Sequence, residues 1–271
     1  MKPLLDIADL EVRYGPAVAL SGVSLSVPPG TTVGLVGESG SGKTTLGKAV
    51  LGLVPVAGGA IRLAGREITE LRPKERRALS GVVQVVFQNP YLSFNPRRTI
   101  GQAVAEALPR GTRRDEARER VAAMLDRVGV DPDAARRYPG QFSGGQLQRI
   151  AIARALVPDP RLLICDEAVS ALDLSVQAHV LNLLADLRAE RGLSYLFITH
   201  DLAVVRHVAD RVVVLRRGEV VESGRVDDVC ERPRHPYTRE LLAAAPVPDP
   251  VAQARRRAER RAPAPREDPL R

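Results

Sequence analysis

The stretch GESGSGKTT at residues 37–45 decides the fold class, because it satisfies the pattern G-x-x-x-x-G-K-[ST]. A β-rich apolar run at residues 31–36 precedes it, and a helical pattern follows it from Lys43 to about Leu53. Glycines in such a loop let backbone N–H groups turn inward around phosphate oxygens, and the helix N-terminus adds its positive end. The predicted phosphate-binding residues are Gly37, Glu38, Ser39, Gly40, Ser41, Gly42, Lys43, Thr44 and Thr45.

Lys43 and Thr44 carry most of the chemistry predicted for this loop. We expect the Lys43 ammonium to reach the β- and γ-phosphates of a nucleotide and the Thr44 hydroxyl to bind Mg²⁺. Lysine is rare in the chain, since only four of its 40 basic residues are lysines. A glycine-rich turn without a ligand is the alternative, and the complete pattern with its flanking strand and helix disfavours it.

Apolar runs elsewhere in the chain predict a parallel sheet. They lie at residues 82–87, 162–165, 195–198 and 212–215, and continuous apolar strands of this kind are covered on both faces. Residues 212–222 predict a hairpin that turns at 217–218. One face of a helix is predicted at Val176, Val180, Leu183, Leu184 and Leu187. Asp173 or Ser175 could cap that helix. The fold class is therefore α/β.

An acidic pair follows the apolar run at residues 162–165. We expect Asp166 to anchor a phosphate-bound Mg²⁺ and Glu167 to act as the general base that polarises the attacking water. Such a base accelerates a reaction by about 10²–10⁴-fold. An acidic pair after an apolar run is by itself often a solvated strand end, and the phosphate loop earlier in the chain favours the functional interpretation.

Composition limits the class of protein further. The 271 residues carry a net charge of +8, which suggests a polyanionic partner, but aromatic residues make up only 3%. Single-stranded nucleic-acid binders need aromatic stacking platforms, so this composition disfavours that class. Two cysteines cannot form a disulfide framework or a four-thiolate metal site. Apolar runs are too short to cross a bilayer and the start does not resemble a signal peptide, so we expect a cytosolic chain.

Charge and composition also suggest domain boundaries. Residues 246–271 contain seven arginines and four acidic residues with many prolines and alanines, which predicts a flexible tail. Residues from about 89 to 159 carry helix signals and few strand signals, which predicts a helical insertion in the α/β core. We expect one domain at 1–245.

The segment Ser143-Gly144-Gly145-Gln146 lies before a helix and shortly ahead of the Asp166 strand. It resembles the signature motif of ATP-binding cassette (ABC) ATPases. Further positions resemble the family's nucleotide contacts: Tyr14 the aromatic that stacks on adenine, Gln88 the Q-loop glutamine, Asp173 the D-loop and His200 the switch histidine. The resemblance extends over about residues 4–242. It implies a P-loop NTPase fold of the ABC nucleotide-binding type, with an antiparallel β subdomain and a helical signature subdomain.

The same resemblance implies a mechanism. ATP would be hydrolysed with Mg²⁺, with Gln88 and His200 assisting Glu167, and Gln88 also contributing to the metal site. ABC cassettes form head-to-tail dimers, so Ser143, Gly144, Gly145 and Gln146 would close over ATP held by the Lys43 loop of a second cassette. ATP binding and hydrolysis would then close and open the dimer and drive a partner.

Two other stretches resemble the oligopeptide, dipeptide and nickel importers within this family. They are QNPYLSFNPRRT at residues 88–99 and PRHPYT at residues 233–238. This resemblance implies a second ATPase subunit, two transmembrane permease subunits and an extracytoplasmic solute-binding protein, with the chain peripheral on the cytoplasmic face of the cell membrane. No nucleic acid is expected. The chain departs from the family pattern at Phe142, Ala168 and His179, none of which carries a catalytic atom.

Two other functions fit parts of the sequence. A soluble ABC ATPase acting on nucleic acid or ribosomes would suit the net charge, but such proteins carry two cassettes or a long coiled-coil insertion. This chain has one signature motif and no sustained heptad run. A non-hydrolysing ATP-binding module is the other alternative, and the presence of both Glu167 and His200 disfavours it.

Overall fold

A computed structural model describes residues 2–170 and 172–244. The predicted tail at 246–271 lies outside the described residues. Two sheets and the helices that pack on them make up the described chain. None of the helices in this part of the chain is long and apolar enough to cross a membrane.

The strands are β1 (Leu5–Tyr14), β2 (Ala17–Val27), β3 (Thr32–Val36), β4 (Gly58–Leu63), β5 (Arg66–Glu67), β6 (Val83–Val86), β7 (Leu162–Asp166), β8 (Ser194–Thr199), β9 (Arg211–Arg216) and β10 (Glu219–Arg225). The helices are α1 (Lys43–Leu51), α2 (Pro73–Arg76), α3 (Ile100–Ala105), α4 (Arg114–Arg127), α5 (Gly144–Leu156), α6 (Leu174–Arg191), α7 (Leu202–Val208), α8 (Val226–Glu231) and α9 (Pro236–Ala244). Short 3₁₀ turns connect several of these elements.

The larger sheet has six strands in the order β10-β9-β3-β8-β7-β6. Strands β9, β3, β8, β7 and β6 are parallel, and β10 pairs antiparallel with β9. Every residue of β3, β7 and β8 is buried, as expected for strands that helices cover on both faces. The predicted parallel strands and the hairpin at residues 212–222 are therefore confirmed.

The smaller sheet is antiparallel, in the order β2-β1-β4-β5. Burial alternates along much of β2, which is the pattern of a sheet with one face packed and one face solvated. Its apolar face shares one core with α1 and the larger sheet. Within that core Leu46 and Ala49 of α1 are fully buried, and replacing a leucine there by alanine costs about 2–5 kcal/mol. The phosphate loop is thus attached to a helix held between two sheets.

Helix α1 ends two residues earlier than the sequence pattern predicts. Gly52 lies directly after it with a φ of 68°, and its N–H donates to the carbonyl of Ala49. This left-handed conformation ends helices at glycine, because glycine has no Cβ to oppose it.

Between β6 and β7 the described chain contains helices and 3₁₀ turns and no strand. Helices α3, α4 and α5 form a core with residues of the larger sheet and of α6. Val121, Met124, Leu125 and Val128 are all buried in it, as their spacing predicts. A capping box begins α3: the Thr99 hydroxyl accepts from the Gln102 N–H, and the Gln102 side chain accepts from the Thr99 N–H.

The C-terminal elements pack on the face of the larger sheet that lies opposite the face covered by α1. A third apolar cluster joins Val36 and Val214 of the sheet to Val205 of α7 and to Val226 and Tyr237 of α8 and α9. The last described helix therefore lies against the end of β3, which is the strand that leads into the phosphate loop.

Candidate nucleotide site

The register of the larger sheet places one end of four parallel strands at a common edge. Val36 pairs with Thr199, Asp166 pairs with Ile198, and Val86 pairs with Cys165. The residues that follow these strand ends are the phosphate loop, Gln88, Glu167 and His200. Ligands of α/β proteins bind at the carboxyl edge of the parallel strands.

The phosphate loop holds its lysine in place with its own backbone carbonyls. Lys43 is 6% exposed, and its Nζ donates to the carbonyls of Gly37 and Glu38, each at 2.8 Å. Burial lowers the pKa of the Lys43 ammonium, while Glu167 and Asp166 oppose that shift. The Ser41 hydroxyl is buried with no hydrogen-bond partner in the described part of the chain. A buried cation and an unpaired hydroxyl in one loop fit a polyanionic ligand.

Two glycines of the loop are required by close backbone contacts. A Cβ on Gly37 would lie 2.2 Å from the carbonyl oxygen of Leu215. Gly42 has a φ of 104°, and a Cβ there would lie 2.7 Å from the carbonyl oxygen of Ala19. Any other residue at either position would displace neighbouring backbone, so the pattern that identifies the loop is also a packing requirement.

Thr44 and Asp166 form a pair of oxygen ligands beside Lys43. The Thr44 hydroxyl donates to Asp166 Oδ1 over 3.1 Å. Asp166 is 5% exposed, and burial raises the pKa of its carboxyl, while the Thr44 hydrogen bond and the Lys43 charge lower it. A hydroxyl and a carboxylate are the ligand types that Mg²⁺ prefers.

Glu167 lies between the two side chains that the family resemblance associates with it. Gln88 Nε2 donates to Glu167 Oε2 over 2.8 Å, and His200 Nδ1 lies 3.1 Å from Glu167 Oε1. The Glu167 backbone has a φ of 50°, and its N–H donates to the carbonyl of Ile198. Such a conformation in a residue other than glycine costs about 1–3 kcal/mol and is common at functional sites. Three strand ends thus place one carboxylate in a fixed position.

A cleft of about 640 Å³, the Lys43 cleft, opens beside these residues. It is lined by Tyr14, Val18, Ala19, Ser39, Gly40, Gly42, Lys43, Thr44, Thr45, Gln88, Glu167 and Arg217. Tyr14 lies at the end of β1 and is 47% exposed, so its ring is accessible to a planar ligand. Sequence reasoning missed Val18 and Arg217, because neither belongs to a phosphate-binding pattern. Arg217 stands at the hairpin tip between β9 and β10.

The signature segment begins helix α5 with a capping box. The Ser143 hydroxyl accepts from the Gln146 N–H over 3.3 Å, and Gln146 Oε1 accepts from the Ser143 N–H over 3.0 Å. Gly144 lies near the Tyr91 ring, and Gly145 lies near Leu172. In the described chain, none of these four signature residues lines the Lys43 cleft.

Gln148, two residues further along α5, is a site residue that the sequence did not reveal. It is fully buried, and its Nε2 donates to the carbonyls of Phe87 and Ala168 at 3.1 and 2.7 Å. Those carbonyls adjoin Gln88 and Glu167. The amide group of Gln148 thus links helix α5 to the backbone beside both residues. A polar residue within a helix does not by itself indicate such contacts.

Asp173 caps helix α6, which resolves the choice between Asp173 and Ser175. Its Oδ1 accepts from the Val176 N–H over 2.9 Å and from the Ser175 hydroxyl over 2.7 Å. The hydrogen bonds to Val176 and Ser175 lower the pKa of the exposed Asp173 carboxyl. Asp173 does not line the Lys43 cleft of the described chain.

None of the three departures from the family pattern lines the Lys43 cleft of the described chain. Phe142 is buried and stacks against the Arg137 guanidinium at 4.3 Å. Ala168 is buried and its carbonyl accepts from Gln148, while His179 is exposed on α6. Cys165 is buried in β7, and burial raises the pKa of its thiol, as expected for an apolar strand residue.

Two protein families match the chain. Residues 20–170 match the ABC transporter family, and residues 221–270 match the C-terminal region of oligopeptide and dipeptide transporters. The first match contains the phosphate loop, Gln88, the signature segment and the Asp166–Glu167 pair. The second contains α8 and α9.

Relatives with these features are ATP-binding subunits of transporters. The oligopeptide transport ATP-binding protein OppF of Escherichia coli K12 is 49% identical over 92% of this chain and 79% of its own length. The glutathione import ATP-binding protein GsiA of Pectobacterium atrosepticum is 45% identical over 94% of this chain, which spans 43% of that longer protein.

Solved structures agree with the fold. CbiO1 from Clostridium perfringens, part of the ABC transporter complex CbiONQ, superposes with a TM-score of 0.76 at 28% identity over 86% of this chain and 92% of that chain. The ATP-binding cassette MJ0796, in a dimeric post-hydrolysis state bound to ADP and Pi, superposes with a TM-score of 0.77 at 28% identity over 82% of this chain and 98% of that chain. These matches confirm the P-loop fold of the ABC type, and the chain belongs to the ATP-binding subunits of the ABC transporter family.

Proposed function

We propose that the chain hydrolyses ATP with Mg²⁺ to energise the import of dipeptides or oligopeptides across the cell membrane. The observation that carries the proposal is the contact of Glu167 with Gln88 and His200, at the strand ends beside the Lys43 loop. ATP-binding relatives that import oligopeptides and glutathione support the solute class. They favour import over an action on nucleic acid or ribosomes.

The side chains of the site divide binding and hydrolysis between them in this proposal. Lys43 and backbone N–H groups of the loop at residues 37–45 bind the β- and γ-phosphates, and Tyr14 stacks on the base. Glu167 polarises the attacking water as general base. Gln88 and His200 hold the Glu167 carboxylate in position, and His200 also senses the γ-phosphate.

Magnesium fits the oxygen ligands at this edge. Thr44 and Asp166 would hold the ion, since their oxygens already lie 3.1 Å apart, and the Gln88 amide oxygen is a third candidate. Mg²⁺ binds through a few protein oxygens together with substrate phosphates and water. When bound, the ion neutralises charge that develops on the phosphate oxygens.

The signature segment contributes to a second cassette in this proposal. Ser143, Gly144, Gly145 and Gln146 lie outside the Lys43 cleft of their own chain as far as it is described. A head-to-tail dimer would bring them over the ATP of a partner, and the dimeric form of MJ0796 supports such an assembly. Exposed Asp173 would face the same interface. The second cassette is a copy of this chain or a related subunit.

The proposed complex contains two transmembrane permease subunits and an extracytoplasmic solute-binding protein, with this chain on the cytoplasmic face. Residues 1–245 form the ATPase domain, with a helical subdomain at about 89–159 and the importer-type motif at about 230–245. The Arg-rich segment at 246–271 has a net charge of +3, and this charge suits the anionic inner leaflet.

Hydrolysis is tested with the full chain, alone or with its partner subunits. Wild-type protein should hydrolyse ATP only when Mg²⁺ is present, and Glu167→Gln should reduce the rate by about 10²-fold or more while ATP still binds. Glu119→Gln changes an exposed glutamate of α4 in the same way and should leave the rate unchanged. A Glu167→Gln variant with wild-type turnover would contradict the assigned base.

Solute class is tested in cells that lack the gene for this chain. Uptake of a labelled dipeptide or oligopeptide should fall, and the wild-type gene should restore it while the Glu167→Gln gene should not. Unchanged uptake of every peptide tested would contradict the proposed solute, even if ATP hydrolysis were intact.

A further inference from the structure

We propose that Tyr237, in the C-terminal helix α9, is a positioning residue of the ATP site that holds the Lys43 ammonium in its binding orientation. The proposal deepens the function proposed above and rests on it. Tyr237 lies 194 residues after Lys43 in the chain, outside the phosphate-loop pattern and outside the residues that match the ABC transporter family.

One peptide group connects the two residues. The Gly37 carbonyl accepts from Lys43 Nζ over 2.8 Å, and the Glu38 N–H donates to the Tyr237 hydroxyl over 2.8 Å. The carbonyl and the N–H belong to the same peptide bond, which is planar and has its two polar groups on opposite sides. Fixing the N–H therefore fixes the direction of the carbonyl that holds Lys43.

The Glu38 N–H donates to a side chain of a distant helix, whereas the Ser41 N–H donates within the loop, to the Glu38 carbonyl over 3.2 Å. The Glu38 N–H is directed at a side-chain oxygen of the protein, so it is engaged before a phosphate arrives. The Glu38 carbonyl also accepts from Lys43 Nζ. Residue 38 thus transmits the position of α9 to the lysine and does not need to contact the ligand itself.

The Tyr237 ring is held firmly enough to serve as an anchor. It is 4% exposed, and the Arg216 guanidinium lies 4.6 Å from its centroid. Its own N–H donates to His235 Nδ1 over 3.2 Å. The Glu222 carboxylate of β10 accepts from the N–H groups of Arg234 and His235 at 2.9 and 3.0 Å, which fixes the start of α9.

Helix α9 also lines a cleft beside the strand ends that carry Glu167 and His200. This cleft of about 610 Å³ is lined on one side by Gly37, Glu38 and Ser39 and on another by Leu241 and Ala244 of α9. Glu167 and His200 line the same cleft. The region that matches oligopeptide and dipeptide transporters therefore adjoins both the phosphate loop and the general base.

The test compares Tyr237→Phe with Tyr195→Phe in the full chain. Tyr237→Phe keeps the ring and its stacking and removes only the oxygen that accepts from Glu38. Tyr195 is also buried, and its hydroxyl donates to the Leu184 carbonyl over 2.7 Å on the α6 side of the sheet. Each variant thus loses one buried phenol hydroxyl, and only one of the two hydroxyls contacts the phosphate loop.

The expected result separates positioning from stability. Tyr237→Phe should raise the Kd for Mg²⁺-ATP by about fivefold, because a typical hydrogen bond contributes about 1 kcal/mol. Tyr195→Phe should lower the Tm without changing that Kd. The Glu38 N–H should exchange its hydrogen faster in Tyr237→Phe than in the wild type, which shows the lost contact directly.

A wild-type Kd and an unchanged Glu38 exchange rate in Tyr237→Phe would overturn the positioning role and leave the proposed ATPase function standing. An equal rise of the Kd in both variants would overturn it as well, because loss of stability alone would then explain the effect. Wild-type protein that bound no ATP would overturn both proposals.

Discussion

Two glycine-containing loops of the chain precede helices, and they differ in whether functional residues of the same chain surround them. The loop at residues 37–45 surrounds a lysine that is 6% exposed and lies beside the ends of three other strands. The loop at Ser143–Gly145 leads into α5 by an ordinary capping box, and the described chain places none of its residues in the Lys43 cleft. The first loop adjoins the proposed catalytic residues of its own chain, and the second lies outside the cleft that those residues line.

This difference explains why the two motifs require different tests. Substitutions in the Lys43 loop should affect ATP binding by a single chain. Substitutions in the Ser143 loop should affect only steps that need a second cassette, apart from their cost to helix α5. Any exchange of these two behaviours would contradict the distinction between the loops.

The largest effect is expected for Lys43→Ala. The substitution removes a charge that the loop buries beside the phosphate position, and hydrogen bonds to charged groups contribute about 1.5–3 kcal/mol. We expect the Kd for ATP to rise by about 10- to 150-fold, measured by equilibrium binding to the full chain. Lys74→Ala, at an exposed lysine of α2, should bind ATP like the wild type. Tight binding by Lys43→Ala would show that the loop is not the phosphate site.

A smaller effect is expected for Ser143→Ala, for which the chain contains a matched control. Thr99 and Gln102 form the same capping box on α3 that Ser143 and Gln146 form on α5. Ser143→Ala and Thr99→Ala should each lower the free energy of unfolding by about 1 kcal/mol. ATP binding by the single chain should be unchanged in both.

Hydrolysis should distinguish these two capping variants. Ser143→Ala should reduce the rate of the assembled ATPase by about tenfold or more, because the lost hydroxyl would contact ATP across the dimer. Thr99→Ala should hydrolyse ATP at the wild-type rate. Equal rates in the two variants would mean that Ser143 is only a helix cap.

The smallest effect is expected for Arg217→Gln. Arg217 is an exposed cation that lines the Lys43 cleft from the tip of the β9–β10 hairpin. Exposed charges contribute about 0.2–1 kcal/mol, so the Kd for ATP should rise by about two- to fivefold at low salt. Arg225→Gln, an exposed arginine at the far end of β10, is the control. The difference should shrink at high salt, because ions screen exposed charges, and an effect that persists there would indicate a direct contact.

Local patterns predicted a large part of the fold. The five parallel strands, the β9–β10 hairpin and helix α6 with its Asp173 cap all appear where apolar runs and spacing indicate. Continuous apolar runs identify buried strands well, since helices cover both faces of a parallel sheet. The helical pattern predicts the end of α1 two residues too late, because such a pattern can continue past a glycine that ends the helix.

The contacts made by Gln148 and Tyr237 could not be predicted in the same way. Gln148 is a polar residue within a helix, and its side chain donates to two backbone carbonyls in distant loops. Tyr237 lies in the first turn of α9, near the end of the described chain, and its partner is the N–H of Glu38. A side chain that contacts the backbone of a distant segment leaves no periodic signal in sequence.

The sequence by itself determined the kind of chemistry and the class of fold. The spacing of Gly37, Gly42, Lys43 and Thr44 is set by local backbone geometry around a phosphate, so it can be read from neighbouring residues. Only the tertiary structure decided which strand ends meet, because the sheet order β3-β8-β7-β6 differs from the chain order. That order brings Gln88, Glu167 and His200 within hydrogen-bond distance. The tertiary structure also packs α9 against the phosphate loop.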